Sequence, residues 1–179
     1  MRRINMSLEE KKIAVLAEDN YENLEAWYPI LRLKEAGVKV DVIGRDAGCE
    51  ICQSKEGYPL KVDYKAREID PADYDGVIVP GGYAPDKLRR CQNTLKLVKY
   101  QAENNGLVAA ICHAGWVLAS ANVLKGKTVT STSAIRDDMV NAGAHWTDEE
   151  VVVDGNFITS RSPGDLPAFM KAILEFLIE

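Results

Sequence analysis

The segment Ala109-Ala110-Ile111-Cys112-His113-Ala114-Gly115 carries the clearest chemistry in this sequence. An apolar run, Leu107 to Ile111, passes into a stretch of helical character from Ala114, and a thiol stands at the junction. Small residues, Ala110 and Ala114, lie two positions to either side. This is the pattern of a nucleophile elbow with cysteine in place of serine. The sharp turn lifts the sulfur out of the sheet to where a substrate can reach it. The helix that follows places partial positive charge beside the sulfur and favours thiolate over thiol. The competing reading of Cys112 is a buried structural cysteine at a strand end, because free cysteine is among the most buried residue types.

Two further segments reach the same place if the strands run parallel, since parallel strands deliver their carboxyl ends to one edge of the sheet. Pro80-Gly81-Gly82 follows the run Val77-Ile78-Val79. Paired glycines leave backbone N–H groups uncovered, so Gly81 and Gly82, with the N–H of His113, are candidates to receive a developing oxyanion; a plain turn is the alternative. Glu22 follows the first strand. Its carboxyl either caps a helix N-terminus or contacts the sulfur of Cys112. In the second case repulsion between two negative groups raises its pKa and makes it a proton donor to the sulfur.

The elements that must position these residues follow from periodicity. Ile13-Ala14-Val15-Leu16, Val38–Ile43, Val77–Val79 and Leu107–Ile111 read as strands, the most apolar of them buried on both faces. Leu24, Trp27, Tyr28 and Leu31 recur at helical spacing within 22–36, and Gly37 ends that helix. Alternation at Tyr58, Leu60, Val62 and Tyr64 predicts a small hairpin within 46–70. One helix is expected over 85–104, with Pro85 at its first position. Ala114–Asn122 and Ile135–Asn141 are expected as helices, with a strand at 128–130 between them. Val151–Val153 and Phe157–Thr159 flank the turn Asp154-Gly155-Asn156, and Leu166–Ile178 closes the chain as an amphipathic helix. Strands alternating with helices, joined by right-handed crossovers, make an α/β doubly wound sheet.

The chain has 179 residues, of which 46% are hydrophobic and 27% charged, and a net charge of -5. That suits one domain over 1–179, with 1–11 as a loose N-terminal extension. The acidic balance argues against nucleic acid as the main partner, because phosphate binding needs a basic face. No run approaches the roughly 20 apolar residues of a membrane span, and the basic start lacks an apolar stretch behind it. A cytoplasmic location is therefore expected. By default its four cysteines, Cys49, Cys52, Cys91 and Cys112, are then reduced. Cys49-Glu50-Ile51-Cys52 has C-x-x-C spacing, open to a redox pair or half a zinc site, but no second pair completes a metal set. Two ordinary loop cysteines are the expectation there.

In chain order stand Glu22, Pro80-Gly81-Gly82-Tyr83-Ala84-Pro85-Asp86, Ala110-Ile111-Cys112-His113-Ala114-Gly115, Ser131 to Asp138, Asn141-Ala142-Gly143-Ala144, Val151 to Asn156 and Thr159-Ser160-Arg161. This set resembles the ThiJ/PfpI superfamily, nearest to its PfpI-type intracellular cysteine peptidases and deglycases, from about Lys12 to the C-terminus. The resemblance implies a flavodoxin-like three-layer α/β sandwich with a mostly parallel sheet. It implies Cys112 as nucleophile, Glu22 as the carboxyl on the sulfur, and His113 as general base and, with Gly82, backbone oxyanion donor. It also implies a triad completed by an acidic residue of a neighbouring subunit. The matching position is Asp86, where relatives often carry the longer Glu; the active form is then a homodimer or higher homo-oligomer. Relatives usually have Gly-Pro after the histidine, whereas Ala114-Gly115 and then Trp116 stand here, which reshapes the pocket floor.

The function expected is that of a cofactor-free cysteine enzyme, with no metal. The resemblance offers glyoxalase III or deglycase action on small carbonyls and their protein adducts, or peptide and amide hydrolysis. A compact oxoaldehyde suits a sulfur nucleophile with a proton-donating glutamate. The alternative is a redox-responsive stress protein or chaperone whose Cys112 becomes a sulfinate without turnover. Sheet topology alone would also admit a flavin carrier, on weak analogy. His145, followed by Trp146, does not fit a glutamine amidotransferase histidine, and Arg161 reads equally as an anion binder or an ion pair.

Overall fold

The computed structural model describes residues 7–179. In chain order the elements are β1 (Lys12–Ala17), α1 (Asn23–Glu35), β2 (Lys39–Gly44), β3 (Ile51–Gln53), β4 (Pro59–Lys61), β5 (Tyr64–Lys65), β6 (Gly76–Val79), α2 (Ala84–Leu88) and α3 (Gln92–Glu103). They continue as β7 (Leu107–Ile111), α4 (Gly115–Ser120), β8 (Thr128–Val129), α5 (Arg136–Asn141), β9 (His145–Trp146), β10 (Val151–Asp154), β11 (Phe157–Ser160) and α6 (Leu166–Ile178).

Seven strands form the main sheet in the order β10-β11-β7-β6-β1-β2-β5. All pairs are parallel except β10 with β11, whose hairpin turns at Gly155 with φ +61°. The continuous apolar runs lie in its middle, where Val15 pairs with Ile78 and Ile78 with Ala109, all without solvent exposure. Helices α1 and α6 pack together, while α3 packs on β6 and β7 and touches α4, which touches α2. Strand order reverses between β1 and β6, and at such a reversal the loops leaving the two strands part and open a crevice at their carboxyl ends. Glu25, Gly82 and Cys112 all lie just beyond the carboxyl ends of β1, β6 and β7.

Several sequence expectations change here. The helix expected over 85–104 is two: Arg90 and Cys91 donate to carbonyls three residues back, and Cys91, in extended conformation, starts α3. The break lets Leu88 on one side and Leu97 and Val98 on the other all be buried. The hairpin is only β3 with β4, Cys52 facing Leu60; Tyr64 belongs to β5, a parallel edge strand beside β2. The N-terminal extension is not loose from Ser7 onward, because Leu8 packs on the core and Lys11 pairs with Asp75 at 3.4 Å; residues 1–6 lie outside the described residues. Cys49 and Cys52 are joined as a disulfide rather than free, their Cα atoms being 5.4 Å apart. Among the described residues no helix is long and apolar enough to cross a membrane.

Candidate active site

The turn after β7 is made by Cys112 itself, whose φ is +61°. A side chain in this left-handed region costs about 1–3 kcal/mol, which the surrounding structure must hold in place. On one side Ile111 is locked into the ladder opposite Ser160; on the other the Cys112 carbonyl accepts from Thr132 N–H at 3.4 Å. The turn resolves a geometric conflict, since neighbours along a strand point to opposite faces. Bent at Cys112, the chain brings His113 Nδ1 to 3.2 Å from the sulfur. Tyr83 stacks near the imidazole, ring centroids 6.4 Å apart, and Trp116 lies tilted against it at 5.1 Å. Trp116 is held by its Nε1–H, which donates to Asp138 at 2.8 Å. A Cβ at Gly115 would crowd the Met139 thioether and, at 3.1 Å, the Ile135 side chain of the neighbouring segment.

The carboxyl beside the sulfur is Glu25, not Glu22. Glu22 is the N-cap of α1, its Oε2 accepting from Glu25 N–H at 2.7 Å. Three residues further on, one helical turn points the Glu25 side chain inward, where it is fully buried. Its Oε2 accepts from Gly81 N–H at 2.8 Å, and the carboxyl and the Cys112 thiol are hydrogen-bonding neighbours. Pro29, inside α1, lacks the amide that would otherwise bond to the Glu25 carbonyl.

Gly81 is therefore spent on Glu25, and the oxyanion role expected of it falls to other amides. A Cβ at Gly81 would lie 2.5 Å from Glu25 Oε2 and 2.8 Å from the Cys112 Cβ. The amides that point at the sulfur are those of Gly82 and His113. Gly82 has φ +76°, and the strip 20–22 is stitched to it: Glu22 N–H donates to Gly81 O at 3.2 Å, and Tyr83 N–H to Asn20 O at 2.8 Å.

The electrostatics follow from this burial. Desolvation, with the charge of Glu22 adding to it, pushes the Glu25 carboxyl up to about 7. Burial, and then the Glu25 charge, push the Cys112 thiol up to about 12, against the pull of the His113 and Gly82 amides. A thiol activated by a helix start was expected, but the helical piece at Cys112 is a single turn and α4 only six residues. Ionisation of the thiol is instead tied to Glu25: when Glu25 is protonated, its repulsion vanishes and the two amides remain. His113 is pushed below the ordinary histidine range, by burial first and then by Lys55, so its ring is neutral at pH 7 and able to accept a proton.

Asp86 does not meet His113 within the chain; its half-exposed carboxylate is held by Arg90 one turn along. His145 is exposed in β9, opposite Thr128 of β8, and Arg161 is an ion-pair residue, bonded to Asp165 at 2.9 Å and Asp148 at 2.8 Å. Glu25 went unnoticed in the sequence because an acidic residue in a first helical turn looks like a capping group. The one available signal was its place among apolar neighbours, one turn after Glu22 and one before Pro29.

The sequence matches the DJ-1/PfpI family over residues 11–176. It is 44% identical to deglycase TK1284 of Thermococcus kodakarensis over 166 residues, covering 93% of this chain and 99% of that protein. It is 42% identical over 167 residues to YraA of Bacillus subtilis, whose name places it provisionally among cysteine proteases, covering 93% and 98% of the two. Among solved structures it resembles a two-domain protein of Anabaena variabilis with DJ-1/ThiJ/PfpI-like and ferritin-like domains. The TM-score is 0.90 at 45% identity, covering 93% of this chain and 48% of that one, so the chain spans about half of its length. The flavodoxin-like arrangement of a mostly parallel sheet with helices around it is shared with these proteins.

Proposed function

This chain belongs to the DJ-1/PfpI family, and from that premise we propose that Cys112 is the nucleophile of a cofactor-free enzyme acting on small reactive carbonyls, of the glyoxalase III type, or on their protein adducts, as a deglycase. The observation that carries this reading is the convergence on one sulfur of a neutral imidazole 3.2 Å away, a buried carboxyl near pKa 7 and two backbone amides.

In the proposed reaction with a 2-oxoaldehyde, His113 takes the thiol proton and Cys112 Sγ bonds to the aldehyde carbon. The new oxyanion is held by the Gly82 and His113 amides and takes a proton from Glu25, giving a hemithioacetal. Transfer of the proton on that carbon to the adjacent carbonyl carbon, with its oxygen protonated, turns the hemithioacetal into a thioester of a 2-hydroxy acid. Water then hydrolyses the thioester and restores the thiol. The net change is addition of one water to the oxoaldehyde, so no electron acceptor is required. The deglycase name of TK1284 supports this chemistry, and the name of YraA supports amide hydrolysis by the same sulfur. A single sulfur nucleophile with a proton donor on it suits the small electrophile. Asp86, freed from Arg90, would enter only across an interface between copies of the chain.

The test measures 2-hydroxy acid formation from methylglyoxal, and cleavage of a fluorogenic peptide, by wild type and Cys112→Ser. Oxoaldehyde turnover by wild type, reduced by at least about a thousandfold in the variant, is the expected result. Turnover that survives in Cys112→Ser ends the nucleophile assignment, and peptide cleavage alone moves the reading to hydrolysis.

A further inference from the structure

A second sulfur site lies at the outer end of the same sheet edge. Cys49 is partly exposed, whereas its disulfide partner Cys52 is fully buried in β3. Glu18, whose side chain is only 2% exposed, sets Oε1 3.7 Å from Cys49 Sγ. Its other oxygen meets Arg45 Nε at 2.5 Å, and Lys87 Nζ lies 3.8 Å from Oε1. The Asp19 carboxylate is within 4.8 Å of both sulfurs.

Two features are out of place around a purely structural bond. The bridge spans only three residues, so it removes little freedom from the unfolded chain. The loop is moreover already held without it, because the buried Lys65 ammonium donates to the carbonyls of Gly48 at 3.0 Å and Cys49 at 2.7 Å. Glu18 Oε1, which also accepts from Asp19 N–H at 3.0 Å, faces Cys49 Sγ at 3.7 Å, where it would gain a further donor from a thiol but none from a disulfide sulfur. The packing keeps room for that carboxylate: a Cβ at Gly48 would fall 2.5 Å from Glu18 Oε2.

We propose that Cys49 and Cys52 form a redox-active pair that exchanges with low-molecular-weight thiols, Cys49 being the sulfur attacked and Cys52 the one released. An external thiolate bonds to Cys49 Sγ, the Cys49–Cys52 bond breaks, and Cys52 leaves with the electron pair and takes the proton the external thiol gave up. A second external thiol attacks the external sulfur of the mixed disulfide, departs as the external disulfide, and leaves its proton on Cys49, beside Glu18. Two thiols are oxidised and one protein disulfide is reduced.

The test equilibrates the full-length native protein in buffers of reduced and oxidised glutathione, quenches in acid, alkylates and reads the 49–52 peptide by mass spectrometry. One reversible two-electron transition in the folded protein is expected, with a glutathione adduct on Cys49 in Cys52→Ser. A pair that opens only on denaturation overturns the proposal, as does an adduct absent from Cys49. In the reduced protein, Glu18→Gln is expected to change the alkylation rate of Cys49 by at least about threefold at neutral pH; an unchanged rate removes Glu18 from the site. The double variant Cys49→Ser/Cys52→Ser should fold and melt close to wild type, and a large fall in its midpoint would show the bond to be structural.

Discussion

Two sulfurs of this chain each sit against a buried glutamate, and opposite each glutamate stands a glycine whose Cβ would fall 2.5 Å from the carboxyl. At the elbow, Glu25 faces Cys112 over Gly81; at the outer loop, Glu18 faces Cys49 over Gly48. What differs is the counter-charge. Glu18 has Arg45 and Lys87 within salt-bridge distance, whereas among the described residues Glu25 has no cation that close: it meets the Gly81 amide and the Cys112 thiol, with the charges of Glu22 and, more weakly, Lys55 nearby. Burial with no cation at contact distance is what pushes the Glu25 carboxyl up. The same pair of residue types is thereby suited to proton donation at one site and to an ion-paired contact with a sulfur at the other.

The largest expected effect that would sharpen this contrast is on stability. In the unfolded chain Glu25 titrates near 4.5, and in the fold near 7. A folded pKa above the unfolded one gives a contribution fully present below pH 4.5 and lost as pH rises through 7. The difference in unfolding free energy between wild type and Glu25→Gln should therefore change by about 3 kcal/mol over that window, read from denaturant titrations at a series of pH values. A flat difference would mean that Glu25 is as ionised in the fold as outside it.

Catalysis should show the next largest effect. Glu25→Gln keeps the shape of the carboxyl but removes its proton, and should lower turnover about a hundredfold. Gly81→Ala forces a Cβ between Glu25 and Cys112, and should cost about 1–3 kcal/mol of stability together with most of the Cys112 alkylation rate. Gly48→Ala should leave that rate unchanged; equal effects from the two glycine variants would dissolve the distinction between the sites. Smallest is Glu22→Ala, which loses a helix cap for about 1 kcal/mol and shifts the Glu25 titration to lower pH, with turnover within about threefold of wild type. A larger loss of turnover in Glu22→Ala than in Glu25→Gln would return the carboxyl role to Glu22.

The central strands, the turn at Cys112 and the meeting of β6 and β7 were legible in the sequence because each rests on local pattern. Continuous apolar runs mark strands buried on both faces, and small residues mark a tight turn. What was not legible depended on contacts between distant segments. Choosing between Glu22 and Glu25 takes the helix phase at the end of β1, and a first-turn glutamate reads the same whether it caps or points inward. The break between α2 and α3 has no glycine or proline to announce it, and comes from the need to bury Leu88 and Leu97 together. The Cys49–Cys52 bond escaped because C-x-x-C spacing alone does not tell bonded from free cysteines, and the expected reducing compartment favoured free ones.

Residues 20–22 run as a short splint between the two sulfur sites. On one edge Asn20 N–H donates to Gln53 O at 2.8 Å, and Tyr21 bridges Ser54; on the other, Tyr21 bridges Gly82 and Glu22 donates to Gly81. Helix α1 begins at the end of this splint, so the stance of Glu25 depends on how both edges are clamped. A tremor passed from β3 to Ser54 has only Tyr21 to cross before it reaches Gly82 beneath Cys112.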